Sequence, residues 1–135
     1  MSYIIRTARI EDITAVKRIA DSNKREIGFI VRPILEASIE SGELLVAHEE
    51  NGEVIGFLRW HRRRDGWSTI YEICVRADFR GLGIGKCLLN HIPRPIRLKC
   101  PVDNDANVFY ERLGLTHTET ESGRKRKLNI WMLTI

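Results

Sequence analysis

Val75-Arg76-Ala77-Asp78-Phe79-Arg80-Gly81-Leu82-Gly83-Ile84-Gly85-Lys86 joins a β-rich run, Thr69 to Val75, to an apolar helical run, Ile84 to Ile92. An arginine and three glycines on alternate positions fill the junction. Glycine reaches positive φ at little steric cost and leaves the backbone open to a ligand. Consecutive amides in such a loop can converge on one anion, and the helix N-terminus behind it adds unpaired N–H groups and a positive dipole end. The guest suited to that arrangement is a phosphate or pyrophosphate.

Three phosphate-binding patterns compete for this spacing. A Walker A loop, G-x-x-x-x-G-K-[ST], puts its first glycine on Arg80 and its hydroxyl on Cys87, so two fixed positions fail. A dinucleotide fingerprint, G-x-G-x-x-G, takes Gly81 and Gly83 but places Lys86 in the third slot. Asp103 or Asp105 supplies the acid that this pattern wants about twenty residues on, so the loop alone leaves it open. The pattern R/Q-x-x-G-x-G/A is met in full by Arg80, Gly83 and Gly85. Through it the chain resembles the GNAT superfamily of acyl-CoA-dependent N-acetyltransferases, whose signature loop binds the pyrophosphate of coenzyme A.

Composition sets the outer limits. A chain of 135 residues is expected to form a single domain, residues 1–135, burying roughly two-thirds of its unfolded surface. Its 43% apolar and 30% charged residues are those of a soluble globular protein. No run approaches about 20 apolar residues, which argues against a membrane span. Met1-Ser2-Tyr3-Ile4-Ile5-Arg6 lacks the basic region and apolar stretch of a signal peptide. Cys74, Cys87 and Cys100 are odd in number and form no C-x-x-C, which reads as reduced thiols in the cytoplasm. His48, His61, His91 and His117 show no metal spacing, so no metal is expected.

The formal charge is +4, and much of the excess sits in Arg62-Arg63-Arg64 and Arg124-Lys125-Arg126-Lys127. Clusters of this kind raise nucleic-acid binding. Both lie beside turn signals, Asp65-Gly66 and Ser122-Gly123, so they read as solvated hairpin ends and a nucleic-acid partner is disfavoured. A basic rim also suits a ligand with several phosphate charges.

In chain order, Tyr3 to Arg9 reads as a strand. Glu11-Asp12 open a helix carrying Ile13, Val16, Ile19 and Ala20 at helical spacing, ended by Asp21-Ser22-Asn23. Lys24 to Arg32 has no period and reads as loop, and Pro33 to Ser41 as a short helix closed by Gly42. Leu44 to His48 and Val54 to Arg62 flank Asn51-Gly52 as a hairpin, and Asp65-Gly66 turns into Ser68 to Val75. Three antiparallel strands therefore precede the glycine loop, where a Rossmann fold wants strands alternating with helices. After the loop, Pro93 and Pro95 stop the helix and Ile96 to Cys100 is a short strand. Asp103-Asn104 offer an N-cap for a helix over Asp105 to Leu113, closed by Gly114. Leu115 to Glu121 and Lys127 to Thr134 pair as the closing strands.

The resulting order, β-α-α-β-β-β-α-β-α-β-β, is that of the GNAT fold. Ala106-Asn107-Val108-Phe109-Tyr110-Glu111-Arg112-Leu113-Gly114-Leu115 also resembles the family's second motif, A-x-x-[FL]-Y-x-x-x-G-F. The resemblance covers nearly the whole chain. It implies an α/β (α+β) fold with a mixed central sheet of about seven strands and four helices. It further implies that two middle strands part and admit the pantetheine arm of acetyl-CoA, which bonds freed backbone much as an added strand does.

By position, the resemblance gives that edge to Ile73, Cys74 and Val75, with one N–H polarising the thioester carbonyl. Ile73 and Val75 read equally as core. The pyrophosphate falls to Arg80, Gly81, Leu82, Gly83, Ile84, Gly85 and Lys86, chiefly through amides. Lys86 reads equally as a solvated helix charge. The family's cofactor-contacting Asn is here Asp103, so Asn104 or Asn107 takes over, and Asn107 is the choice. Tyr110 matches the tyrosine that protonates the departing thiolate, and as a phenol it holds its proton at neutral pH. Its alternative is a core tyrosine beside Phe109.

Attack on a thioester needs a neutral amine and hence a base or water chain. Some members of the resembled family place a glutamate on the strand after the first motif's helix. Here that strand, Ile96-Arg97-Leu98-Lys99-Cys100, carries no acid, which leaves Glu72 on the strand entering the cleft, itself also readable as a surface glutamate alternating with Tyr71 and Ile73. Cys74 as a nucleophile lacks an evident histidine partner. The expected activity is N-acetyltransfer from acetyl-CoA to a small-molecule, peptide or protein amine. The alternative is a non-catalytic acyl-CoA- or nucleic-acid-binding module on the same scaffold. Homodimer formation through sheet edges is common in the family and is a further expectation.

Overall fold

The computed structural model describes residues 2–134; Met1 and Ile135, the two ends of the expected domain, lie outside the described residues. The elements are β1 (Tyr3–Thr7), α1 (Ile13–Ser22), α2 (Lys24–Ile27), α3 (Arg32–Glu40), β2 (Leu44–Glu49), β3 (Val54–Arg62), β4 (Ser68–Val75), α4 (Ile84–Asn90), β5 (Ile96–Pro101), α5 (Ala106–Arg112), β6 (Thr116–Ser122) and β7 (Lys127–Leu133). The seven strands form one mixed sheet in the order β1-β2-β3-β4-β5-β7-β6. Fold class and strand number agree with the sequence reading. The helix count differs by one. Lys24–Arg32, expected as loop, contains the single turn α2, begun after Asn23 leaves helical geometry. With no buried residue it offers no apolar period to detect. Among the described residues no helix is long and apolar enough to cross a membrane.

Chain contacts divide the molecule into two compact units, Met1–His61 with Tyr71–Ile92, and Arg62–Ile70 with Pro93–Ile135. In the first, β1, β2 and β3 pair antiparallel, from Tyr3↔Glu49 to Thr7↔Leu45 and from Leu44↔Arg59 onward, with a register shift at Ala47/His48. The stripe Ile13, Val16, Ile19 and Ala20 on α1 packs with Leu35, Leu44, Val46, Phe57 and Cys74 into one core. Burying each large apolar side chain there contributes about 1.5–3 kcal/mol.

The β2–β3 hairpin is a three-residue loop rather than the two-residue turn that Asn-Gly suggests. The Gly52 N–H donates to Glu49 O, the Glu49 N–H to Glu53 O, and Gly52 takes φ +89°. The turn before β4 repeats it. There the Gly66 N–H donates to Arg63 O, the Arg63 N–H to Trp67 O, and Asp65 Oδ1 accepts the Trp67 N–H as Asn51 Oδ1 accepts the Glu53 N–H.

In the second unit β5 lies between β4 and β7. It pairs parallel with β4 at Ser68↔Ile96 and Thr69↔Arg97, and antiparallel with β7 from Ile96↔Leu133 to Pro101↔Leu128. Ser68 is buried and fully satisfied. Its N–H donates to Pro95 O at 2.9 Å and its hydroxyl to Pro93 O at 2.7 Å, which ties the start of β4 to the segment entering β5. β6 is the outer strand, and its exposed threonines and glutamates blunt an otherwise sticky edge.

Candidate active site

The glycine loop belongs to the first unit. After a 3-10 turn at Ala77–Phe79 the chain enters α4 through Gly81 and Gly83, both left-handed at φ +80° and +81°. The first helical amide with a partner is Cys87, bonded to Gly83 O at 3.1 Å. The amides of Gly81, Leu82, Gly83, Ile84, Gly85 and Lys86 have no protein acceptor among the described residues. A row of unpaired amides at a helix start is what an anion satisfies. Lys86 is exposed and without an ion-pair partner among the described residues, whereas Ile84 and Gly85 are buried.

Arg80, first residue of the motif, is spent on the loop's own shape. Its Nε donates to Val75 O at 3.1 Å and its Nη2 to Asn23 Oδ1, while Asn23 Nδ2 donates to Ile19 O. Asn23 thus joins the end of α1 to the loop. The sequence shows it only as a helix terminator, and nothing local to it signals a partner 57 residues away.

Ile73, Cys74 and Val75 are buried on β4, which runs to Val75 past its last ladder pair with β5 at Thr69. A Cβ on Gly56 would sit 3.0 Å from Cys74 O, so β3 keeps a glycine where it passes this strand. Burial pushes the Cys74 thiol up to about 12, with Arg80 opposing and Glu26 and Glu72 adding to the rise. A thiol so held is not a nucleophile. Glu72 is not the surface residue that alternation suggests, since it is 7% exposed. Its two oxygens accept from Arg59, Nε to Oε1 at 2.6 Å and Nη2 to Oε2 at 2.9 Å. Arg59 also lies over the Tyr71 ring at 4.5 Å. A carboxylate held on both oxygens by one guanidinium acts as a bidentate strut between β3 and β4.

Tyr110 and Asn107 belong to the second unit. Tyr110 is buried on α5, with ring neighbours Phe109 at 5.8 Å and Trp131 at 6.3 Å. Asn107 is committed internally. Its Nδ2 donates to Pro101 O and Asn104 O, both at 2.8 Å, and its Oδ1 accepts from Trp131 Nε1 at 2.9 Å and Asn129 Nδ2 at 3.2 Å. Those bonds lash the β5–α5 loop to β7. Asn104 Oδ1 accepts the Ala106 N–H, but the N-cap of α5 is Asp105, without a side-chain capping bond, rather than either residue of the pair Asp103-Asn104. Among the described residues no group of His, Cys, Asp and Glu side chains gathers to hold a metal.

The comparisons with known proteins agree with the loop and the sheet. A model of the acetyltransferase (GNAT) domain matches residues 40–116. The 5-NmdU N-acetyltransferase of Pseudomonas phage PaMx11 is 32% identical over 122 residues, spanning 84% of this chain and 86% of that one. The chain belongs to the GNAT acetyltransferase family. Among solved structures, Ard1 from Thermoplasma volcanium superposes with a TM-score of 0.81 at 21% identity over 98% of this chain and 97% of that one. Naa50 of Arabidopsis thaliana, in complex with the bisubstrate analogue CoA-Ac-MVNAL, gives 0.71 at 24% identity over 100% of both chains.

Proposed function

We propose that this protein, taken as one domain over residues 1–135, transfers the acetyl group of acetyl-CoA directly to a primary amine within a ternary complex. The observation that carries this reading is the row of unpartnered amides from Gly81 to Lys86, opened by two left-handed glycines. Those amides and Lys86 would take the pyrophosphate, and the backbone of Ile73, Cys74 and Val75 the acyl-bearing arm. Arg80 acts through the loop it clips to Val75 and Asn23. The bound thioester supplies the acetyl group. As the amine nitrogen bonds the carbonyl carbon and the C–S bond breaks, Tyr110 gives its phenolic proton to the departing sulfur. The proton lost by the amine passes to solvent, from which Tyr110 is restored. Glu72 holds Arg59 and the shape of β4, and Asn107 holds the loop in front of α5. The similar phage enzyme, a 5-NmdU N-acetyltransferase, and the similar fold of Naa50, seen with the bisubstrate analogue CoA-Ac-MVNAL, support an amine acceptor.

Calorimetry with acetyl-CoA, followed by thiol release over a panel of amines, tests the reading. Saturable binding and turnover are expected, and Tyr110→Phe should lower kcat by about 100-fold or more at unchanged acetyl-CoA affinity. Absence of heat at millimolar acetyl-CoA would remove the proposal. A Tyr110→Phe enzyme with parental kcat would remove the acid.

A further inference from the structure

The charge of this protein is not spread evenly. Residues Arg62–Ile70 and Pro93–Ile135 hold eleven Lys and Arg against six Asp and Glu, so one compact unit carries a net charge of plus five and the other minus one. Within the positive unit most of the excess sits on two turns. Arg62, Arg63 and Arg64 lead the turn into β4, and Arg124, Lys125, Arg126 and Lys127 form the turn between β6 and β7 and the first residue of β7. All seven are exposed.

The second turn is built to stay tight. The Gly123 N–H donates to Arg126 O at 2.8 Å, and a Cβ on Gly123 would lie 2.6 Å from that oxygen. Arg64 and Arg124 to Lys127 have no ion-pair partner among the described residues. Neighbouring acids are committed elsewhere, with Asp65 on Arg97 at 3.0 Å and Glu121 on Lys99 at 2.6 Å. Glu119 is set back from the turn, opposite Ile130 on β7. The two turns adjoin opposite ends of β5, since Ser68 pairs with Ile96 and Leu128 with Pro101. That strand separates them by about 17 Å.

Against the sequence reading of these clusters as merely solvated hairpin ends, we propose that the two turns, gathered in one positive unit, dock a nucleic acid and that the amine acceptor is borne on it; the second half rests on the acetyltransferase reading. Two separate cationic turns, each holding several charges, match a ligand whose phosphates repeat along its length, whereas one small anion would engage only one turn. Arginine supplies five of the seven cations, and its planar fork suits phosphate oxygens better than the ammonium of lysine. The β6–β7 turn also abuts the segment leading into α5, where the Val102 N–H donates to Lys127 O at 3.2 Å. A polymer held there passes close to the chain that leads into the helix bearing Tyr110.

The test uses fluorescein-labelled single-stranded and duplex oligonucleotides with the full-length protein, titrated by anisotropy across about 50–200 mM salt. Binding should weaken linearly in log–log form, with a slope of about −0.7 to −0.9 per phosphate contact. Replacing Arg124, Lys125, Arg126 and Lys127 together by Ser should cut the slope by about 3 and weaken binding about tenfold or more, at unchanged melting temperature. No binding at the lowest salt, or equal binding by the variant, overturns the docking surface. Turn-dependent binding to phosphatidylserine vesicles without oligonucleotide binding overturns it in favour of a membrane. For the acceptor, an oligonucleotide carrying a base-linked alkylamine should show a KM at least about tenfold below that of the free amine-bearing nucleoside, with the gap erased in the turn variant at unchanged kcat. Equal KM values overturn the acceptor assignment. If the acetyltransferase reading fails, acetyl-CoA gives no heat while oligonucleotide binding persists. If docking fails, acetyl-CoA binding and turnover of free amines persist.

Discussion

Replacing Glu72 by glutamine removes one charge from the Arg59 pair and almost no volume. In the parent both carboxylate oxygens accept guanidinium N–H groups at 2.6 and 2.9 Å, and the two side chains are 15% and 9% exposed. Glutamine can keep the shorter bond through its carbonyl, but it points an N–H group at Arg59 Nη2 where an acceptor stood. Breaking a buried pair by removing one partner costs about 3–5 kcal/mol. The surviving hydrogen bond and the stacking of Arg59 on Tyr71 return part of that, leaving about 2–3 kcal/mol. At this chain length 1 kcal/mol moves the midpoint by about 3–4 °C, so Tm should fall by about 6–12 °C. Urea and thermal melts of Glu72→Gln, Arg59→Met and the double Arg59→Met/Glu72→Met measure it. The double variant should be more stable than either single one, because apolar replacement of both partners strands no charge. A general base would behave otherwise, with Glu72→Gln melting near the parent and flattening the acidic limb of the kcat/KM profile. A Glu72→Gln protein within about 0.5 kcal/mol of the parent would refute the strut.

Three further outcomes follow from the same geometry. Gly83→Ala meets nothing within 4 Å but sits at φ +81°, so the cost to folding should be only about 1–2 kcal/mol while acetyl-CoA affinity falls about tenfold; equal affinity by calorimetry would exclude the loop. Asp12 is held below the usual carboxylate range, first by Arg6 at 2.7 and 2.9 Å and then by the Arg9 N–H, against its own burial. Its contribution is therefore full above the ordinary carboxylate pKa of about 4 and fades as pH falls through the lower folded value. The stability gap between parent and Asp12→Asn should shrink on acidification, as urea melts at neutral and acid pH would show. Burial raises the thiols of Cys74 and Cys100 to about 12 and about 11, so iodoacetamide at mildly alkaline pH should spare both in the native protein, with peptide mapping as the readout.

The order of elements, the glycine loop and the α5 motif could be read from residues alone because each rests on signals a few positions apart. Ile13, Val16, Ile19 and Ala20 repeat at the helical period, Asn51 to Gly52 and Asp65 to Gly66 punctuate strands, and Gly81 to Gly85 alternate in the loop. Glycine allows the positive φ that Gly81 and Gly83 take, whereas Gly85 is helical inside α4. Partnership does not. Arg80 meets Asn23 across 57 positions, Glu72 meets Arg59 across 13, and Trp131 meets Asn107 across 24. Each meeting depends on strand register and on where a helix ends against a sheet, which periodicity does not encode. The folded chain therefore decided that Glu72 is braced, that Asn107 is occupied and that the two cationic turns share one unit. Local chemistry chose the elements, and packing between distant segments chose which polar groups were consumed and which amides were left unpaired among the described residues.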